Sequence, residues 1–145
     1  MGNYISNIGT HVYVKGSADA IRLYKEAFNL EDKGEPITDK DGDIYHHMLT
    51  RDGEIFIYVY EDKFLPPELV KKYSDDSKPI MLFSVVFENE DDIRKAFRIL
   101  SENGNPCAGL KVESWTILSC EVIDKFGVFW YLWIPKDKNA PYVHG

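Results

Sequence analysis

A chain of 145 residues suits one compact domain or two small fused modules. Its net charge of −7 argues against nucleic acid and anionic membranes as partners, because both repel a surface of that sign. No run reaches the ~18 apolar residues of a spanning helix, "MGNYISNIGT" lacks the basic-then-apolar order of a secretory signal, and Cys107 and Cys120 form neither a metal spacing nor a disulfide framework, so a reduced, cytoplasmic setting is expected.

The elements follow in chain order. "SNIGTHVYV" alternates, with Ile8, Thr10, Val12 and Val14 on one face and His11 and Tyr13 on the other, which predicts a strand. In "KGSADAIRLYKEAFN", Ala20, Leu23, Tyr24, Ala27 and Phe28 recur at three-to-four spacing and predict a helix. Ser17 suits its N-cap and Asn29 a left-handed C-cap. The turn-rich "EDKGEPITDKDGD" carries a weak strand around 33–39. "IYHHMLT" and "EIFIYVYED" are strong strands, and "RDG" between them is a hairpin signal. Pro66–Pro67 before "ELVKKY" predicts a short helix in a connector.

The order then repeats. "IMLFSVVF" predicts a strand, and "ENEDDIRKAFRILSENG" a helix whose stripe is Ile93, Ala96, Phe97 and Leu100 and whose end is Gly104. "AGLKVES" is a weak strand; "WTILSCEVID" and "VFWYLWIP", joined by "KFG", are strong ones. The two helices lie about 74 positions apart, as do Gly53 and Gly127. The chain therefore reads as two copies of a β-α-β-β-β unit.

These stretches resemble a known family. "HVYVKGSADAIRLYKEAFN" is similar to the opening of the vicinal oxygen chelate superfamily, which includes glyoxalase I, bleomycin-resistance proteins and extradiol dioxygenases. "LYKEAF" resembles the "FYKEVF" helix of its PhnB-like branch, "HHMLTRDGEIFIYVYED" that branch's hairpin, and "DKFGVFWYLWIP" its "DPFGHRW" ending. The resemblance covers residues 8–135. It implies an α+β fold in which two βαβββ modules form a cupped, incompletely closed eight-stranded barrel. Residues 1–145 then form a single glyoxalase-like domain, divided into a first module (1–63), a connector (64–79), a second module (80–135) and a tail (136–145). It also implies a homodimer. Two departures stand out: the aromatic-Trp-Gly stretch before the last hairpin is "ESWTILSC", and the proline of the final motif is Lys125.

Metal-dependent members carry one ligand on the first and last strand of each module. Here those positions fall on His11, on Tyr58 (Ile57 if the register slips by one), on Ser84 or Val85, and on Tyr131. One good donor is too few, since such centres need about three. No cofactor is expected, and a divalent metal is disfavoured. It stays open only through a shifted set such as His11, His46 and Glu121.

Strand alternation sends His46 and His47 to opposite faces. His46 matches the histidine of the branch's "HAEL" and is expected nearer the cleft, although alternation alone leaves the inward face undecided. If His11 and Tyr13 face the cleft, Phe56, Tyr58 and Tyr60 line one wall, while Ile55, Ile57 and Val59 pack beneath the helices. Phe129, Tyr131 and Trp133 line the matching wall. The expected ligand contacts are His11, Tyr13, His46, Phe56, Tyr58, Phe129 and Tyr131. No catalytic residue is assigned; Glu121 reads either as a base or as a solvent-facing strand residue. The expected function is metal-independent binding of a small aromatic or amphipathic molecule in an aromatic cleft. The alternatives are a metal-dependent lyase, isomerase or dioxygenase, and a domain whose cleft is filled by its own side chains.

Overall fold

The computed structural model describes residues 8–69 and 81–139. The chain packs as two compact units, one of residues 1–25 and 29–75, the other of residues 26–28 and 76–145. Part of the expected connector helix and part of the tail, at 70–80 and 140–145, lie outside the described residues.

The first unit contains β1 (His11–Val14), α1 (Ser17–Phe28, whose last three residues belong to the second unit), β2 (Glu31–Asp32), β3 (Ile37–Thr38), β4 (Ile44–Arg51) and β5 (Glu54–Glu61). A short 3-10 turn, Asp62–Phe64, follows, and residues 67–69 are helical. The sheet runs β1-β5-β4-β2, with β3 also on β4. β1 and β5 are parallel, while β4 and β5 form an antiparallel hairpin. Its two-residue turn holds Asp52 and Gly53 at φ 52 and 82, the left-handed pair that a tight hairpin turn requires. The weak strand around 33–39 is two short pieces, because Gly34 and Pro36 interrupt it.

Alternation along these strands is as the pattern demands. Val12, Val14, Leu49, Ile57 and Val59 are buried, while His11 and Tyr13 lie on the other, open face. Ile55 departs from expectation and is 39% exposed. The β4–β5 register passes from Leu49↔Ile57 to Thr50↔Ile55, so Phe56 is an extra residue on β5 and the alternation breaks there.

Ser17 is not the N-cap of α1. It is the first helical residue, and the orphan amides are satisfied from another strand. The Glu61 carboxylate at the end of β5 accepts from the Gly16 and Ser17 amides, each at 2.9 Å, and from the Ser17 hydroxyl at 2.7 Å. A carboxylate suits the positive end of a helix. Asn29 takes the left-handed C-cap at φ 54.

The second unit contains β6 (Phe83–Val86), α2 (Glu90–Ser101), β7 (Asn105–Lys111), β8 (Thr116–Ile123) and β9 (Phe129–Pro135), with sheet order β6-β9-β8-β7. α2 is capped by Asn89, whose side chain accepts from the Asp92 amide. It packs on β7, β8 and β9 through Ile93, Ala96, Ile99 and Leu100; Ile99 takes the buried place expected of Phe97. Gly104 closes the helix because a Cβ there would lie 2.6 Å from the Ile123 carbonyl oxygen and 2.8 Å from that of Leu100. In the β8–β9 turn, buried Asp124 accepts from the Phe126 and Val128 amides and from the Trp130 indole.

The duplication is plain in the structure. An offset of 73 carries Ser17–Phe28 onto Glu90–Ser101. The same offset carries the pairing His11↔Tyr58 onto Ser84↔Tyr131. The chain is thus α+β, with one open sheet and one helix repeated.

Glu61→Ala leaves three donors of the α1 terminus without their acceptor. It should lower unfolding stability by about 2 kcal/mol or more, read as a lower urea midpoint with an unchanged slope.

Candidate functional site

The parallel β1–β5 register pairs His11 with Tyr58 and Tyr13 with Tyr60. Because all four side chains lie on the open face, their rings form a row. His11 stacks on Tyr58 at 4.1 Å with parallel planes, and Tyr13 stacks on Tyr60 at 4.5 Å and 12°. The His11 and Tyr60 rings are 5.7 Å apart, and His11 Nδ1 is hydrogen-bonded to Tyr60 Oη at 2.7 Å. Burial pushes the Tyr60 phenol above its ordinary value of 10.0, and the phenols of Tyr13, Tyr58 and Tyr45 add to the shift. Tyr60 therefore keeps its proton at neutral pH.

β4 brings a second imidazole to this row. His46 lies 5.7 Å from the Tyr58 ring and 5.5 Å from that of Tyr60. His47 points the other way and is 1% exposed. Its Nε2 meets Asp32 Oδ1 at 2.7 Å, and Asp32 also takes the Lys25 ammonium at 2.5 Å. Lys25 first and His47 second hold the Asp32 carboxyl below its ordinary 3.8. His47 thus has a packing and hydrogen-bonding role on the buried face. Phe56, at the bulge, is half-buried.

The second unit holds a cavity of about 230 Å³ on the β7–β8–β9 sheet. In the register, Lys111 is opposite Ser119 and Glu121 is opposite Tyr131, and all four line it. Trp115 and Glu113, from the β7–β8 turn, complete the rim. The Trp115 indole donates to Tyr131 Oη at 3.1 Å, and Lys111 pairs with Glu113 at 2.9 Å. Cys120 also lines the cavity, but burial pushes its thiol up to about 12, so it is not a nucleophile.

The expected contacts thus divide between the units. His11, Tyr13, His46, Phe56 and Tyr58 belong to the first, and Phe129 and Tyr131 to the second. Phe129 is half-buried and does not line the cavity. Lys111, Glu113, Trp115 and Ser119 were not singled out by the sequence. The departure "ESWTILSC" was the signal, since it contains Glu113, Trp115 and Ser119. The irregular β7–β8 register that gathers them is not visible in a one-dimensional pattern.

The strand pairing shows which side chains stand at the positions where the sequence resemblance implies metal ligands. His11 is joined in its strand pair by the Tyr58 phenol, and the equivalent pair is Ser84 and the Tyr131 phenol, so one imidazole stands where about three strong donors are needed. Among the described residues, Asp39, Asp41 and Asp43 bring carboxylate oxygens within 4.8 Å of one another. Lys63 already fills that place, with its ammonium 2.5 Å from Asp39, 3.7 Å from Asp41 and in contact with Asp43.

No family model and no curated protein matches the chain. Solved structures do match. A PhnB protein from Bacillus cereus is 23% identical, with 89% of this chain and 99% of that one covered, at a TM-score of 0.65. A protein from Pseudomonas aeruginosa is 16% identical over 92% and 100% of the two chains, at 0.70. A glyoxalase/bleomycin resistance protein/dioxygenase family enzyme from Burkholderia phytofirmans is 8% identical over 87% and 95%, at 0.63.

Two titrations test the local electrostatics. Asp32 has its folded value below 3.8, so it contributes stability above that pH and loses it as pH falls through the folded value. Asp32→Asn should therefore flatten the acid limb of a urea-midpoint profile. Tyr60 is raised above 10.0, so its contribution is present below that pH and lost as pH rises. Tyr60→Phe should remove a late phase from the phenolate absorbance titration.

Proposed function

We propose that this chain, which has the fold of the vicinal oxygen chelate superfamily, is a metal-independent binding protein for a small aromatic or amphipathic molecule. The observation that carries this reading is the row of rings on the first unit. The His11 and Tyr58 rings stack in parallel planes at 4.1 Å, and Tyr13 and Tyr60 follow at 4.5 Å. Such a row offers flat apolar surface for stacking. Imidazole nitrogens and phenol oxygens at its edges supply a few directed polar contacts, the usual composition of a small-molecule site. His11 and Tyr60 bond to each other, which fixes both rings before any ligand arrives and limits the ordering cost of binding.

The donor chemistry supports the metal-independent half of the reading. The phenols of Tyr58 and Tyr131 stand where a zinc, iron or manganese centre is usually given a carboxylate or an imidazole.

Two measurements test the proposal together. Metal analysis of protein purified without chelator should find substoichiometric metal. One ion per chain, lost in His11→Ala, would overturn metal independence. Ligand-observed NMR with quinoline, indole and naphthol should show binding that Tyr58→Ala weakens about fivefold to tenfold, as expected for losing an aromatic contact of about 1 kcal/mol. Binding that is absent throughout the panel, or unchanged in Tyr58→Ala, would overturn the role of the ring row.

A further inference from the structure

We infer that the cavity on the β7–β8–β9 face takes a small ligand in which a protonated amine is attached to a single aromatic ring. This rests on the reading above that the chain binds small molecules, and it assigns a ligand class to a site in the second unit.

The argument starts from which polar groups in the cavity are already satisfied. The Lys111 ammonium is paired with Glu113, and the Trp115 N–H is spent on Tyr131 Oη. The Tyr131 hydroxyl keeps its own proton as one donor, and two acceptors are left. The Ser119 hydroxyl is fully buried and has no hydrogen-bond partner among the described residues, although buried polar groups are nearly always paired. The Glu121 carboxylate, half-buried beside it on β8, makes no hydrogen bond or ion pair among the described residues, although its charge acts on the Lys111 ammonium. A carboxylate only accepts, and a hydroxyl can accept. The unmet need is therefore for a donor, and next to Glu121 a charged donor is favoured.

Charge points the same way. The Lys111 ammonium pairs with Glu113 and also feels the Glu121 carboxylate, so two carboxylates against one ammonium leave the cavity with a net negative charge, which disfavours an anion. The Trp115 and Tyr131 rings add surfaces that attract both an organic ring and an ammonium group. Volume sets the size. At about 230 Å³ the cavity is below the roughly 300–1,000 Å³ of drug-sized sites, so one ring with a short chain fills it.

The test uses three probes that share one phenylethyl group: phenethylamine, phenethyl alcohol and hydrocinnamate. Calorimetric titration at neutral pH and low salt should find the amine bound at least about tenfold more tightly than the alcohol, with no binding of the carboxylate. Glu121→Gln should bring the amine down to the alcohol's affinity. Ser119→Ala should weaken the amine without lowering the thermal midpoint, because it removes a buried hydroxyl that has no partner in the free protein. Alcohol or carboxylate binding as tight as the amine, or an amine affinity unchanged in Glu121→Gln, overturns the amine class. Absence of binding by all three probes overturns the site. Neither result touches the ring row of the first unit, whose own panel is read through Tyr58→Ala.

Discussion

The Glu61 carboxylate joins parts of the chain that are distant in sequence. It closes β5 and is opposite Val14, the last residue of β1, in the parallel register. It also takes the first two amides at the start of α1 and the Ser17 hydroxyl. One buried side chain therefore fixes where β1 ends, where the helix begins and which strand lies beside them. The ring row depends on that register. Slipping β1 by one residue against β5 would turn His11 and Tyr13 toward the buried face and place Val12 and Val14 beside the phenols.

The duplicated frame has diverged in chemistry. Ser84 stands opposite Tyr131 as His11 stands opposite Tyr58, yet the two pairs do different things. The first pair is a stack of two rings. In the second, Ser84 accepts from the Trp133 indole, and Tyr131 accepts from Trp115 beside the cavity. Backbone pairing was preserved while the open faces changed. That follows from the two-residue period of a strand, which lets one face hold the core while the other varies.

The two adjacent histidines show the same division within one strand. His46 lies beside the Tyr58 and Tyr60 rings, and His47 is locked to Asp32 on the buried face. Alternation required them to part, but it left open which would go inward. The β4–β5 pairing decided it, because His47 is opposite Val59, a core residue. The same pairing exposed Ile55, where the extra residue at Phe56 interrupts the period.

Local pattern in the sequence was sufficient for much of the fold. Apolar spacing marked both helices and the long strands, Asp52–Gly53 marked the hairpin, and the repeated order marked two copies of one unit. Alternation also put His11, Tyr13, Tyr58 and Tyr60 on one side, since each stands two residues from the next in its strand. Tertiary structure alone decided what crosses between segments. The Glu61 cap replaced the local serine, the short pieces β2 and β3 replaced one strand, and an irregular β7–β8 register gathered Lys111, Ser119 and Glu121 around a cavity. The physical reason is range. Periodicity reports which face of its own element a residue occupies, whereas a cap, a bulge or a cavity is set by which distant strand arrives beside it.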